Sequence, residues 1–265
     1  MDMQLANRKA LVTGGSRGIG KATALLLARE GCDVAICARS EGPLQEAAAE
    51  IAKETGRKVF PMVCDTMDPA SIKNFVDTSA RELGGLHIVV NSAARVGGTP
   101  GTAETVLDTD VLRDFEEKVV GYLRVSQAAM PYMKEAGWGR IVNISGGAGR
   151  SPGMAVSGGI RNIGTSNLTK SMANGLGQYG INVNCVYPGI TLTEATLANH
   201  QAAADREGVS LETVLGRLTD RTTNKHVPTS EDVANVVLFL CSPLSIAITG
   251  ETIAAMAGTS QDVHV

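Results

Sequence analysis

Seven short apolar runs punctuate this chain: KALVTG, CDVAIC, KVFPMVC, LHIVVNSA, GRIVNIS, INVNCVYPG and ETIAA. Each has the length of a strand and reads as one buried on both faces. The segments between them, GKATALLLARE and VANVVLFLC among them, mostly read as amphipathic helices. Strands buried on both faces and joined by helices can only be covered as a parallel sheet with helices on each side. The predicted fold class is therefore α/β. A length of 265 residues, 43% of them hydrophobic, suits one such domain spanning residues 1–265. Only residues 191–230 break the rhythm, with a polar, helix-prone excursion after the sixth run. It follows the C-terminal end of a strand, where open α/β sheets bind ligands, and is read as a substrate lid.

Charge and composition narrow the partners. A formal charge of -3 with no block of like charges gives no electrostatic footprint for nucleic acid or an anionic membrane. At 3% aromatic residues there is little material for stacking bases. The start, MDMQLANRK, has no apolar leader region and no stretch is long and apolar enough to span a bilayer, so a cytoplasmic location is expected. Cys32, Cys37, Cys64, Cys185 and Cys241 form no C-x-x-C pair and read as reduced core residues, and the four histidines are too scattered for a metal site. The expected partners are a small-molecule substrate and further copies of the chain.

The first apolar run leads into TGGSRGIG, Thr13–Gly20, which opens a helix. In that context Gly14, Gly18 and Gly20 allow a tight turn and close approach of backbone to a pyrophosphate, whose charge the helix N-terminus attracts. This makes the sheet a Rossmann-type doubly wound one. At the end of the second run stands Arg39, where an acidic residue would hold the ribose 2′-hydroxyl of NAD. Its planar fork suits the extra phosphate of NADP(H) instead, and Arg17 in the loop can close on the same group. Solvated surface arginines would look the same in sequence.

These motifs resemble those of the short-chain dehydrogenase/reductase family, and the likeness covers nearly the whole chain. The family's T-G-x-x-x-G-x-G matches Thr13, Gly14, Gly18 and Gly20, with Ser16 and Ile19 inside the loop. Its adenine-side aspartate matches Asp65, next to Thr66; a turn aspartate capping the following helix is the alternative. N-N-A-G appears as Asn91-Ser92-Ala93-Ala94, a degraded copy. YPGITLT matches the family's P-G segment, so the resemblance places Pro188, Gly189, Ile190 and Thr193 at the nicotinamide carboxamide. PTSEDVANVVLFLCSPLSIAITGETIAAMAG matches the closing helix and strand, although Met256 stands where an aspartate is usual. The implied cofactor set is thus Gly14, Ser16, Arg17, Gly18, Ile19, Gly20, Arg39, Asp65, Thr66, Asn91, Ala93, Pro188, Gly189, Ile190 and Thr193. The resemblance also implies a homo-oligomer, dimer or tetramer.

The family transfers hydride between nicotinamide and a carbonyl or alcohol, using a tyrosine as acid or base, a lysine that lowers its pKa, a serine and an asparagine. Landmarks on either side place those four positions at Gly158, Asn162, Gly146 and Lys118, with Ser145 an alternative for the serine. No tyrosine occurs between Tyr132 and Tyr179, so no shift of alignment restores a Y-x-x-x-K. The replacements available are Lys118, Ser145 and Asn162. A desolvated lysine can titrate near neutrality, though Lys118 could equally pair with Asp114 one turn earlier on a solvated face. Tyr187 could offer a phenol from the other wall but reads rather as packing, and Arg161 and Asn162 could bind a substrate carboxylate or carbonyl, although Arg161 reads rather as solvated or interfacial. Gly158, Gly159 and Gly164 predict a helix that starts late or is locally loose. The functional expectation is an NADP(H)-dependent oxidoreductase with non-standard proton chemistry, acting on an iminium or a bulky carbonyl. A nucleotide-binding pseudoenzyme or partner subunit, or a non-redox lyase, dehydratase or isomerase, are the alternatives.

Overall fold

All seven apolar runs are strands in the computed structural model, which describes residues 2–260. They are β1 (Lys9–Thr13), β2 (Asp33–Ala38), β3 (Val59–Val63), β4 (Ile88–Asn91), β5 (Gly139–Ile144), β6 (Ile181–Pro188) and β7 (Thr252–Ala255). They form one sheet in the order β3-β2-β1-β4-β5-β6-β7, and every pairing is parallel. The chain runs outward from β1 to β3, then returns to place β4 on β1's other side, Thr13 beside Asn91. That reversal opens a crevice beyond the carboxyl ends of β1 and β4, where doubly wound sheets bind their ligands.

Alternate side chains of a strand point to opposite faces, so β1 sends Ala10 and Val12 into one core and Leu11 into the other. The first core is closed by α1 (Gly18–Arg29), α2 (Glu41–Thr55) and α9 (Ser230–Cys241). The second is closed by α3 (Pro69–Leu83), α5 (Gly121–Ala136) and α6 (Val156–Leu176). In α3, Ile72, Phe75, Val76, Ala80 and Leu83 recur at helical spacing and are buried; Asp68 starts the helix by accepting from the Ala70 amide, with Pro69 behind it. Fully burying a side chain such as Phe75 contributes about 1.5–3 kcal/mol. The five cysteines are free and buried.

Two local features position the site. Between α4 (Asp108–Phe115) and α5, residues Glu116–Val120 form a π-helical turn, and Lys118 lies at its centre. Turns of this kind are rare and gather at functional sites. The second feature corrects the sequence reading: α6 is continuous from Val156 to Leu176, neither late nor broken, although it contains Gly158, Gly159 and Gly164. Packing outweighs propensity here. A Cβ at Gly158 would lie 3.0 Å from the Gly97 carbonyl oxygen, so the missing side chain is the space into which a neighbouring loop has settled.

The excursion at 191–230 resolves into α7 (Glu194–Glu207) and α8 (Leu211–Asp220). Its two ends are tied by a parallel bridge between Leu192 and Thr229, and α7 opens on a capping box in which Thr193 and Thr196 satisfy each other's backbone amides. None of the described helices is long and apolar enough to cross a membrane.

Candidate active site

Beyond the strand ends lies a cavity of about 1020 Å³, large enough for a dinucleotide and a small second molecule. Every cofactor-binding and catalytic candidate named from the sequence lines it, with one exception. Asn91 does not. Its side chain is fully buried under the sheet, where Nδ2 donates to Ser126 Oγ at 3.0 Å and to Asn143 Oδ1 at 2.9 Å. Asn91 clasps β4 to β5 and α5, so its contribution to the crevice is structural, and the assignment to the cofactor set is corrected accordingly.

The phosphate loop is built by backbone. Thr13 Oγ1 accepts from the amides of Ser92 and Ala93 at 3.0 and 3.1 Å, which locks the β4 loop against the β1 loop. Gly14 turns at φ 70°, and a Cβ at Gly20 would stand 2.2 Å from the Gly14 carbonyl oxygen, so helix and loop approach as only glycine allows. The Gly18 amide already holds a carboxylate oxygen, Glu194 Oε2 at 3.1 Å, and is thus open to an anion. Arg17 and Arg39 are exposed and line the cavity, and their side chains have no hydrogen-bond or ion-pair partner among the described residues. Asp68, not Asp65, caps α3; Asp65 accepts from the Met67 amide at 3.0 Å and faces the cavity. The cradle therefore fits a pyrophosphate, with two arginines free for further phosphate. Gly20→Ala is expected to weaken NADPH binding by at least about 100-fold and to cost about 1–3 kcal/mol of stability through overpacking. Titration with NADPH and a urea melt check this, and an unchanged affinity would mean the loop does not cradle the phosphates.

Lys118, Ser145 and Asn162 meet at the far end. Lys118 is 4% exposed, and its Nζ donates to Asn162 Oδ1 at 2.8 Å and to the Ser145 carbonyl at 2.9 Å. Burial, reinforced by the Arg161 guanidinium, lowers its pKa to about 7. Lys118 is thus neither solvated nor paired with Asp114. Ser145 Oγ donates to the Asn162 carbonyl at 2.9 Å, so its proton is already engaged. The Asn162 amide lies over Gly146, where a Cβ would come within 2.8 Å of Nδ2. Tyr122 donates its hydroxyl to the Ile144 carbonyl at 3.0 Å, and burial holds its pKa far above the usual range. Tyr187 is buried against Ser166, whose hydroxyl donates to the phenol oxygen at 2.6 Å, and is a packing residue.

Arg161 is the residue whose surroundings sequence reasoning misread. It is 2% exposed, and its Nη2 donates to the Arg95 carbonyl at 2.6 Å. Asp114, fully buried, accepts from Ser157 Oγ and from the Thr99 amide. Burial pushes its carboxyl up, but those hydrogen bonds and the Arg161 charge outweigh it and hold the pKa below the ordinary value. The signal was present in the spacing: Ser157, Arg161, Thr165 and Thr169 recur every four residues and form one buried stripe of α6. No apolar residue marks that stripe, so hydrophobic periodicity was silent.

Comparison with known proteins agrees with this geometry. A family model described as Enoyl-(Acyl carrier protein) reductase matches residues 14–260. The 3-oxoacyl-[acyl-carrier-protein] reductase FabG of Aquifex aeolicus is 32% identical over 97% of this chain and 99% of its own. The NADPH-dependent reductase BacG of Bacillus subtilis is 27% identical over 98% of this chain and 100% of its own. Among solved structures, L-sorbose reductase from Gluconobacter frateurii, complexed with NADPH and L-sorbose, superposes with a TM-score of 0.95 at 25% identity, covering 99% of this chain and 100% of that one.

Proposed function

This chain belongs to the short-chain dehydrogenase/reductase family, and from that premise we infer that it is an oxidoreductase working with NADP(H), in which Lys118 gives or takes the proton. The observation that carries the reading is a buried ammonium with a pKa of about 7, aligned by two acceptors inside the large cavity. A group poised near neutrality is the efficient general acid or base at physiological pH.

NADP(H), when bound, supplies or accepts the hydride. The amides of the Gly14–Gly20 loop would hold its pyrophosphate, Arg17 and Arg39 its 2′-phosphate, Asp65 and Thr66 its adenine end, and Pro188, Gly189, Ile190 and Thr193 its nicotinamide end. Asn162 Oδ1 and the Ser145 carbonyl take two N–H groups of Lys118, so the third N–H of the charged form has no protein acceptor among the described residues. That proton goes to the substrate oxygen as negative charge develops on it. Ser145 acts by fixing Asn162, and Asn162 by aiming Lys118. Arg161 beside Lys118 makes a cationic iminium the less favourable substrate, so the reading settles on a carbonyl. The α7–α8 segment serves as the lid, since Glu194 of α7 already touches the phosphate loop. Ile160 and Ile163, exposed on the outer face of α6, support a homo-oligomer, and a cytoplasmic setting completes the proposal.

Titration of the protein with NADPH and NADH side by side, at matched salt, tests the cofactor; NADPH binding much tighter than NADH is expected, and no binding of either overturns the reading. A second experiment tests whether the site has been rebuilt rather than merely emptied. The double variant Gly158→Tyr with Asn162→Lys is expected to reduce simple ketones no faster than the parent, because residue 158 meets the Gly97 carbonyl and a second ammonium would face Lys118. Fast reduction of simple ketones by that variant would show that the pocket still suits a phenol.

A further inference from the structure

We propose that Arg161 anchors an anionic group of the substrate, so that the substrate is a short oxo acid, a carbonyl compound carrying a carboxylate; this rests on the reductase reading above. A guanidinium has five N–H donors. Arg161 lines the cavity, yet only its Nη2 has an acceptor, the Arg95 carbonyl, while Nε and Nη1 are buried with none. It makes no ion pair with any described residue: Asp114 is the carboxylate whose charge acts most on it, yet Asp114 commits Oδ2 to Ser157 and Thr99 and its Oδ1 is buried without a partner. The Asp114 charge offsets part of the cost of burying this cation but fills neither free donor, and a planar fork with free donors is the side chain best matched to a carboxylate.

The surroundings agree. Among cavity-lining residues between Arg95 and Asn162, the cations are Arg95, Lys118 and Arg161, and the one carboxylate is Glu117. The Arg95–Thr99 loop lies on the guanidinium so closely that a Cβ at Gly98 would be 3.1 Å from Arg161 Cζ. A neutral carbonyl from that loop fills one donor. A substrate carboxylate entering under the loop would replace it and engage the two donors that have nothing. Arg161 directly precedes Asn162, which aims Lys118, so an anchored carboxylate and a reacting carbonyl share one wall. That proximity selects an oxo acid in which the two groups are close.

Acetoacetate and methyl acetoacetate present the same ketone with and without the charge. Their binding to the NADP⁺-loaded protein by ligand-observed NMR, and their kcat/KM with NADPH, are the measurements. The wild type is expected to favour the acid by at least about tenfold, the scale of one charge-assisted hydrogen bond. Arg161→Leu is expected to erase that preference while NADPH affinity stays within about threefold, and Arg161→Lys to restore part of it. Equal or absent binding of the two probes by the wild type overturns the proposal without any variant, and would mean that Asp114 or buried water satisfies the guanidinium. Persistence of the preference in Arg161→Leu overturns it too. Failure of NADPH itself to bind would instead remove the reductase reading, so the two failures are distinguishable.

Discussion

Replacing Lys118 by methionine is expected to lower kcat by about 100- to 10,000-fold, the range that a positioned general acid contributes, while leaving NADPH affinity nearly unchanged. Methionine keeps the length and bulk of the side chain in a pocket where the Nζ environment is already dry. It removes the proton and the two hydrogen bonds, to Asn162 Oδ1 and the Ser145 carbonyl, and nothing at the phosphate loop. The wild-type pH profile carries the sharper expectation. With a Lys118 pKa of about 7, carbonyl reduction needs the charged amine and should fall as pH rises through that value. Alcohol oxidation needs the neutral amine and should rise through the same value. Arg161 is the second cause of the depressed pKa, after burial, so Arg161→Leu should move both inflections upward. A kcat for Lys118→Met within tenfold of the parent, or a flat profile around neutrality, would remove Lys118 from the chemistry.

The second large effect concerns cofactor choice. Arg39→Asp is expected to weaken NADPH binding by roughly 10- to 100-fold, the scale of one or more hydrogen bonds to a charged group. NADH binding should hold or improve, because an aspartate at the end of β2 can accept from the ribose 2′-hydroxyl. Arg39 is exposed and has no partner among the described residues, so the substitution breaks no contact of the fold. The wild-type preference should also shrink as salt is raised, since exposed phosphate recognition is screened, and the variant should lose that salt dependence. Equal loss of both nucleotides would remove the 2′-phosphate role from Arg39.

How far the sequence could be read depended on which physical cue each residue carried. The inner strands were legible because both faces of each are buried, and a short run such as HIVVN has few other folded uses; the edge strands β3 and β7, expected to be buried on both faces, are only partly so. The cavity's backbone residues followed from glycine spacing, since close approach at Gly20 is a constraint on residue type. Asn91 was misplaced because a motif fixes a residue's position along a strand but not the direction of its side chain. The looseness foreseen in α6 failed because propensity counts the isolated helix, whereas Gly158 is pressed by the Gly97 loop. Lys118 and Asp114 do have helical spacing, and both face α6, but each finds a better buried partner there than the other. Arg161 lay on a stripe of small polar residues, which no scale of apolar periodicity detects.

The π-helical turn at Glu116–Val120 makes this region sensitive to a change that composition would not reveal. Such a turn holds one residue more than an α-helix would, so deleting any single residue there would let the helix close up smoothly. Each residue of an α-helix advances the chain by about 100°. The mended helix would therefore swing Asp114 and Phe115 away from α6 while α5 stayed in place, parting the loop that Asp114 secures from the wall that carries Lys118. An extra residue that looks like a flaw in a helix thus acts as a phase setting between two halves of the site.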